Sequence, residues 1–109
     1  MPMDLPTLRK LLSLDPGDPL SRFALGKKLF EEGTSPEELA EAASHLLIAN
    51  RNAPEHLATY HILAQVLIKL GRTDEAREIL KSGIARASAV GEGMGRDLAP
   101  AMQAMLNSI

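Results

Sequence analysis

Apolar residues recur every three or four positions in six segments of the chain, and turn-forming residues separate these segments. This spacing is typical of amphipathic helices that bury one face. The pattern therefore predicts six helices and no strand. The expected helices cover about residues 5–14, 19–32, 36–52, 55–70 and 73–89, and a last helix carries an apolar stripe from Leu98 to Ile109.

Proline, glycine and short polar residues mark where the helices begin and end. The sequence DPGDP at residues 15–19 ends the first helix, and its last proline suits the first turn of the second. Ser35 and Glu38 form a capping box at the start of the third helix. Gly33 is expected to end the second helix in a left-handed cap, and Asp97 is expected to cap the last helix.

The chain contains an internal repeat. Leu25, Gly26 and Leu29 match Leu63, Ala64 and Leu67 at an offset of 38 residues. After Gly33 the offset falls to 34, so the first unit carries four extra residues (38 − 34 = 4). Four residues are close to one helical turn. We therefore expect the extra residues to lengthen the third helix at its N terminus rather than to form a bulky loop.

A hairpin of two helices that repeats every 34 residues or so, with small and large residues at fixed positions, resembles the tetratricopeptide repeat (TPR). The second unit matches that pattern at Tyr60, Leu63, Ala64, Leu67, Gly71, Ala76, Leu80 and Gly83. The first unit matches it at Leu25, Gly26, Leu29, Gly33, Ala42, Leu46, Ala49 and Pro54. Arg22 stands where the family favours tryptophan or another bulky residue, and this departure is expected to loosen the first hairpin. The resemblance covers residues 8–88.

The resemblance implies an all-α fold, an α-solenoid of helical hairpins, in a single domain over residues 1–109. A single hairpin cannot bury its apolar face, so two repeats need a covering helix at each end. The expected parts are an N-terminal capping helix (1–18), a first repeat with the insertion (19–54), a second repeat (55–88), and a glycine-rich loop with a C-terminal capping helix (89–109).

Composition narrows the classes of partner. A net charge of −2, one Tyr, two Phe and no Trp give neither a basic surface nor rings for stacking bases, so no nucleic acid is expected. The chain has no cysteine, which fits a reducing compartment. No apolar run approaches bilayer length and the N terminus lacks a signal-peptide pattern, so we expect no membrane partner and a cytoplasmic location. We also expect a complete small protein, since the chain begins at Met1.

No residue pattern predicts an enzyme. The spacing of His45, His56 and His61 builds no metal site, and the glycines of residues 91–95 follow a helix rather than a strand, so they do not form a phosphate-binding loop. Carboxylates near helix ends are explained by capping and solvation. We therefore expect no catalytic residue, no metal and no cofactor.

In TPR proteins the first helix of each unit lines a concave groove that holds a peptide or helix of a partner. Transferred position by position, the partner-binding groove consists of Phe23, Lys27, Phe30, His61, Gln65, Ile68 and Lys69. The two phenylalanines would form an apolar floor between Lys27 and Lys69. Alternatively, either ring packs against the first helix, or the last helix covers the groove. The carboxylate clamp of some TPR proteins is not matched, because Phe23 and Ile62 replace its polar residues.

The sequence therefore predicts a protein–protein interaction scaffold that binds a peptide or helix of another protein and has no catalytic activity. The alternative is a structural homodimer formed through the terminal helices. The stripe of Met102 and Met105 on the last helix is expected to be core, although methionines also suit adaptable binding surfaces.

Overall fold

A computed structural model describes residues 4–90 and 93–109 of the chain. Over these residues it contains six helices and no strand, which confirms the all-α prediction. The helices are α1 (Leu5–Leu14), α2 (Pro19–Glu32), α3 (Pro36–Asn52), α4 (Leu57–Lys69), α5 (Thr73–Val90) and α6 (Met94–Asn107). None of the helices in the described ranges is both long enough and apolar enough to cross a membrane.

Local capping explains where α2 and α3 begin. The Asp18 carboxylate accepts a hydrogen bond from the Leu20 amide at 3.2 Å, and α2 starts at the proline between them. At α3 the Ser35 hydroxyl accepts from the Glu38 amide at 3.1 Å, while the Glu38 carboxylate accepts from the Ser35 amide at 3.3 Å. This reciprocal pair is the predicted capping box.

The predicted left-handed cap at Gly33 is wrong. Gly33 has φ −69° and ψ 137°, an extended conformation open to any residue, and its amide donates to the Leu29 carbonyl at 2.7 Å. A Cβ at this position would lie 2.3 Å from the Leu29 oxygen, so glycine is needed for space and not for its backbone freedom. The left-handed cap occurs instead at Gly71, with φ 77° after α4.

The predicted cap at Asp97 is also wrong. Helix α6 begins three residues earlier, at Met94, and its N-cap residue is Gly93 with φ 56°. Asp97 therefore lies in the first turn of the helix, where a carboxylate interacts favourably with the helix dipole. Of the predicted glycine-rich loop, Gly91 and Glu92 lie outside the described residues.

The four extra residues of the first unit lie in helix. Helix α3 begins six residues before Ala42, whereas α5 begins only three residues before the matching Ala76. The loops that precede the two helices have three residues each, residues 33–35 and 70–72. The insertion therefore extends helices and leaves the turn unchanged in length.

The chain divides into two compact units, Met1–Pro54 and Glu55–Ile109, at the boundary between the predicted repeats. In the first unit α2 packs against both α1 and α3. Its fully buried side chains include Leu25 and Leu46. Helices α2 and α3 approach closely at Gly26, where a Cβ would lie 2.7 Å from Leu46 Cγ.

In the second unit α5 packs against α4 and α6, and α6 also contacts α4. Its core is formed by Leu57, Tyr60, Ala64, Leu80, Ala87 and Met102. Met105 and other apolar residues of α6 pack against this cluster. The expectation that the methionine stripe is core is therefore confirmed, and α6 covers the apolar face of its own unit.

Candidate functional site

The candidate groove residues of α2 lie on one face of that helix. Phe23, Lys27 and Phe30 are spaced i, i+4 and i+7, so they stand one above another. Lys27 is exposed and the two rings are partly buried. Leu25 and Leu29 point to other sides of the helix and are almost completely buried. Helix α2 thus buries one side and keeps a row of two aromatic rings and a lysine accessible.

The candidate residues of α4 form a matching row. His61, Gln65 and Ile68 also follow the i, i+4, i+7 spacing and are partly exposed, and Lys69 beside them is exposed. The Gln65 side-chain amide donates to the His61 carbonyl at 3.3 Å, which holds it along the helix. The seven predicted groove residues therefore divide between the two units, three on α2 and four on α4.

A second candidate site, not predicted from the sequence, is an open pocket within the first unit. It lies between α1, α2 and α3 and has a volume of about 290 Å³. Its lining residues come from all three helices and from the turn after α1. They are Arg9, Leu12, Ser13, Pro16, Leu25 and His45.

A chain of polar contacts joins the three helices around this pocket. The Arg9 guanidinium donates to the Glu41 carboxylate at 2.6 Å and 3.2 Å, linking α1 to α3. His45 Nε2 lies 3.2 Å from Glu41 Oε2, and Arg22 Nη1 lies 3.1 Å from His45 Nδ1. Arg22 Nε donates to the Pro16 carbonyl at 3.0 Å. These polar contacts therefore link α1 to α3, α3 to α2, and α2 to the turn between α1 and α2.

The arginine fixes the tautomer of His45. A guanidinium can only donate, so His45 Nδ1 must accept and carries no proton. The proton of the neutral ring is then on Nε2, from which it is donated to Glu41. Each contact in the chain thus has one donor and one acceptor.

Arg22 is held by two hydrogen bonds, and its expected loosening of the first hairpin stays a prediction. Its guanidinium bonds the turn after α1 on one side and His45 of α3 on the other. Where the family favours a bulky side chain that fills space, this chain places a long polar side chain that connects three segments. Packing is replaced by hydrogen bonds at this position.

The same contacts change the pKa values of Glu41 and Arg9. The hydrogen bond from Arg9 is the largest effect and lowers the pKa of the Glu41 carboxyl below its ordinary value of 4.5; burial opposes it, and the contact with His45 lowers the pKa further. The Glu41 carboxylate in turn raises the pKa of Arg9. Both groups are therefore charged at neutral pH, and Glu41 neutralises Arg9.

The other histidines have separate surroundings. His56 Nδ1 lies 2.7 Å from the Thr59 hydroxyl at the start of α4, and His61 lies on the exposed row of that helix. Within residues 4–90 and 93–109, no three histidine, aspartate or glutamate side chains are grouped so that they could hold a metal ion.

Sequence reasoning missed the pocket because its residues are far apart along the chain. Arg9 and Glu41 are 32 residues apart, and Arg22 and His45 are 23 residues apart. The one available signal was Arg22, a charged residue at a position where the repeat pattern favours a bulky one. A buried or half-buried position that holds arginine needs polar partners.

Comparison with known protein families gives a match over most of the chain. The model of a family described as "Anaphase-promoting complex, cyclosome, subunit 3" matches residues 5–83, from the start of α1 to the middle of α5. This is a family of TPR-like repeats, in agreement with the resemblance inferred from the sequence. No curated protein matches the chain. No solved structure matches it either.

Proposed function

Because the chain belongs to the family described as anaphase-promoting complex, cyclosome, subunit 3, we propose that it binds a partner protein along α2 and α4. The TPR-like family suggests a protein–protein interaction scaffold and is typically non-catalytic. The proposed occupant is a peptide or a helix of the partner, held in a groove, and the chain itself catalyses no reaction. The proposed contact residues are Phe23, Lys27, Phe30, His61, Gln65, Ile68 and Lys69.

The observation that carries this proposal is the pair of matching rows on α2 and α4. Each row has three side chains at i, i+4 and i+7 that remain partly or fully exposed, while neighbouring leucines are buried. Partner helices and peptides are commonly read by side chains at such spacing. The two rings of the α2 row are partly buried, and aromatic residues make good anchors for a partner.

Charge further restricts the partner. Lys27 and Lys69 are the exposed cations of the two rows. They complement a segment that carries acidic residues next to apolar ones. Exposed charges of this kind raise the rate of association more than they raise the affinity. The family is named for a subunit of an assembly, which supports a scaffold role within a protein complex.

An affinity capture from lysate tests this proposal. The bait is compared with a Lys27→Glu, Lys69→Glu variant and with a Lys10→Glu, Lys81→Glu control, in which the same charge change affects exposed lysines elsewhere. We expect a partner that the wild type and the control retain and the first variant loses. Equal recovery by all three baits, with all three folded by circular dichroism, would contradict the groove assignment.

A second candidate function is a structural homodimer. The observation that favours it is the exposure of Leu14 at the end of α1, at 75%, and of Leu20 at the start of α2, at 62%. Burying two such side chains against a second copy would be favourable. Light scattering on the isolated protein distinguishes the two proposals. A mass of 11.7 kDa supports the monomeric scaffold, whereas twice that mass that Leu14→Ser returns to 11.7 kDa supports the dimer.

A further inference from the structure

We propose that His45 is a pH-sensitive switch, which holds Arg22 of α2 against α3 while its ring is neutral and releases it when the ring gains a proton. The two states differ in what the guanidinium contacts. In the neutral state it joins α3 to the turn between α1 and α2. In the protonated state it contacts that turn alone. The proposal rests on contacts within the first unit and is independent of the proposed groove.

In the neutral state the ring of His45 has one donor and one acceptor, and both are used. Arg22 Nη1 lies 3.1 Å from Nδ1. A guanidinium can only donate, so Nδ1 carries a lone pair and no proton. Nε2 carries the proton and lies 3.2 Å from Glu41 Oε2. The side chain of His45 is only 13% exposed, so water cannot readily replace either partner.

A second proton on the ring is incompatible with the contact to Arg22. The charged imidazolium donates from both nitrogens and has no lone pair that could accept. Two N–H groups, each on a cation, would then face each other at 3.1 Å, where like charges repel. Arg22 Nη1 must therefore leave Nδ1. Histidine is the side chain that ordinarily changes its charge between about pH 5 and pH 8, so the release is expected in this range.

Glu41 makes the charged state of the ring accessible. Its carboxylate accepts from Nε2 in both states and attracts the imidazolium. The pKa of Glu41 lies below its ordinary value, chiefly because Arg9 donates to it, so the carboxylate stays ionised over this pH range. The charged groups around His45 are thus Glu41 on its own helix, with Arg9 on α1 and Arg22 on α2. Glu41 favours the proton on the ring, and the two arginines oppose it.

The turn between α1 and α2 can hold the released guanidinium. Arg22 Nε already donates to the Pro16 carbonyl at 3.0 Å, a bond that does not involve His45. Asp15 and Asp18 lie on either side of Pro16 along the chain, and their carboxylates attract a cation that is no longer bonded to α3. Arg22 therefore stays at the turn when it leaves the ring.

The other links within the first unit do not depend on the charge of the ring. Asn52 Nδ2, at the end of α3, donates to the Gly17 carbonyl at 3.2 Å, and both groups are uncharged. Arg9 donates to the Glu41 carboxylate at 2.6 Å and 3.2 Å and joins α1 to α3. The switch therefore frees one side chain from α3 while α1 and the turn remain attached to that helix.

Nuclear magnetic resonance on the full chain, labelled with nitrogen-15, tests the two states. Near pH 8 we expect a proton on Nε2 of His45 and none on Nδ1, and near pH 5 a proton on both. The Arg22 Nε–H signal should shift over the same pH range as the ring signals. His45→Gln keeps a donor and an acceptor but cannot gain a proton, so it should abolish the shift of Arg22. His61→Gln, the same change on α4, should preserve it.

A double-mutant cycle measures how strongly the pair interacts. Arg22→Ala, His45→Ala and the double variant are compared with the wild type by urea unfolding. Near pH 8 the pair should be coupled by about tenfold in the unfolding equilibrium constant, as a hydrogen bond from a charged donor implies. Near pH 5 this coupling should disappear. The cycle of Arg9→Ala and Glu41→Ala is the control, since both groups stay charged and their coupling should be equal at the two pH values.

Three results would overturn the proposal. The first is a proton on Nδ1 of His45 near pH 8. The second is an Arg22 signal that does not follow the ring, or that shifts equally in His45→Gln. The third is a coupling between Arg22 and His45 that is the same near pH 5 as near pH 8. The ring and Arg22 signals are measured on the wild type, so the proposal remains testable should an alanine variant fail to fold.

Discussion

Replacing Gly83 by alanine should destabilise the protein although alanine is the better helix former. Gly83 lies in α5 where that helix meets α4 and α6. A Cβ there would lie 2.7 Å from Tyr60 Cβ and 2.8 Å from Met102 Sδ. Carbon atoms in contact are normally about 3.5–4.0 Å apart, so the shortfall is close to 1 Å. Tyr60 Cβ is attached directly to the backbone of α4, so the two helices must separate.

The size of the effect follows from two opposing contributions. Overpacking of this kind costs about 1–3 kcal/mol, and the upper part of this range, about 2–3 kcal/mol, applies here because both neighbours are buried and unable to turn away freely. Alanine in place of glycine within a helix recovers roughly 1 kcal/mol. We expect a net loss of about 1–2 kcal/mol in the free energy of unfolding. For a chain of 109 residues, this lowers Tm by roughly 4–8 °C.

Thermal melts followed by circular dichroism measure this change, with Gly17→Ala as the matched control. Gly17 lies in the turn before α2, and a Cβ there would meet only Asp15 Oδ1, at 3.9 Å. The control should melt at or slightly above the wild-type temperature, because alanine restricts the unfolded chain. A Gly83→Ala protein that melts at or above the wild-type temperature would refute the packing argument.

Three further predictions concern stability. The pKa of Glu41 is lowered by Arg9 and then by His45, so the ionised carboxylate stabilises the folded protein. This stabilisation is fully present above pH 4.5 and is lost as the pH falls through the lowered pKa. Since Arg9 is half exposed, we expect Glu41→Gln to lower the free energy of unfolding by only about 0.5 kcal/mol near pH 7. Thermal melts at about pH 2 should show a smaller loss, and an equal loss at both pH values would contradict the prediction. Ser35→Ala removes the bond to the Glu38 amide and should cost about 1 kcal/mol in urea unfolding, and an unchanged midpoint would show that the capping box contributes little. Met102→Ala empties a completely buried position in the second unit and should cost about 2–5 kcal/mol by the same assay, whereas a loss below about 1 kcal/mol would mean that α6 adds little to that core.

The helix ends could be predicted where a local signal fixes them. Pro36 behind Ser35 can only begin a helix, and the observed start of α3 agrees. The predictions at Gly33 and Asp97 were wrong because each residue type has two possible roles at the end of a helix. Glycine serves either backbone freedom or close approach, and at Gly33 the close approach to Leu29 decides. Asp97 suits both an N-cap and a first turn, and the chain caps α6 with Gly93.

The pocket could not be predicted in the same way. Its hydrogen bonds join residues of α1, α2 and α3. No local sequence pattern indicates which side chains on different helices face each other. The repeat pattern indicated only that Arg22 is unusual. Its contacts with Pro16 and His45 depend on how three helices pack. The sequence pattern shows which face of a helix is buried, but not which side chains touch.

The candidate groove residues of α2 and α4 could be predicted in part. The repeat spacing predicted which residues share a face of α2 and which share a face of α4, and each row is at least partly exposed. Which partner they bind depends on chemistry outside this chain.

Photo-crosslinking in lysate shows directly whether a partner lies along α2. A benzophenone amino acid is placed at Lys27, on the exposed row of α2, and in a parallel protein at Ser82, which is exposed on α5. If a partner binds along α2, we expect a discrete crosslinked product from position 27 that the unlabelled wild-type chain competes away, and none from position 82. Crosslinking from Ser82 alone, or equally from both positions, would contradict partner binding along α2.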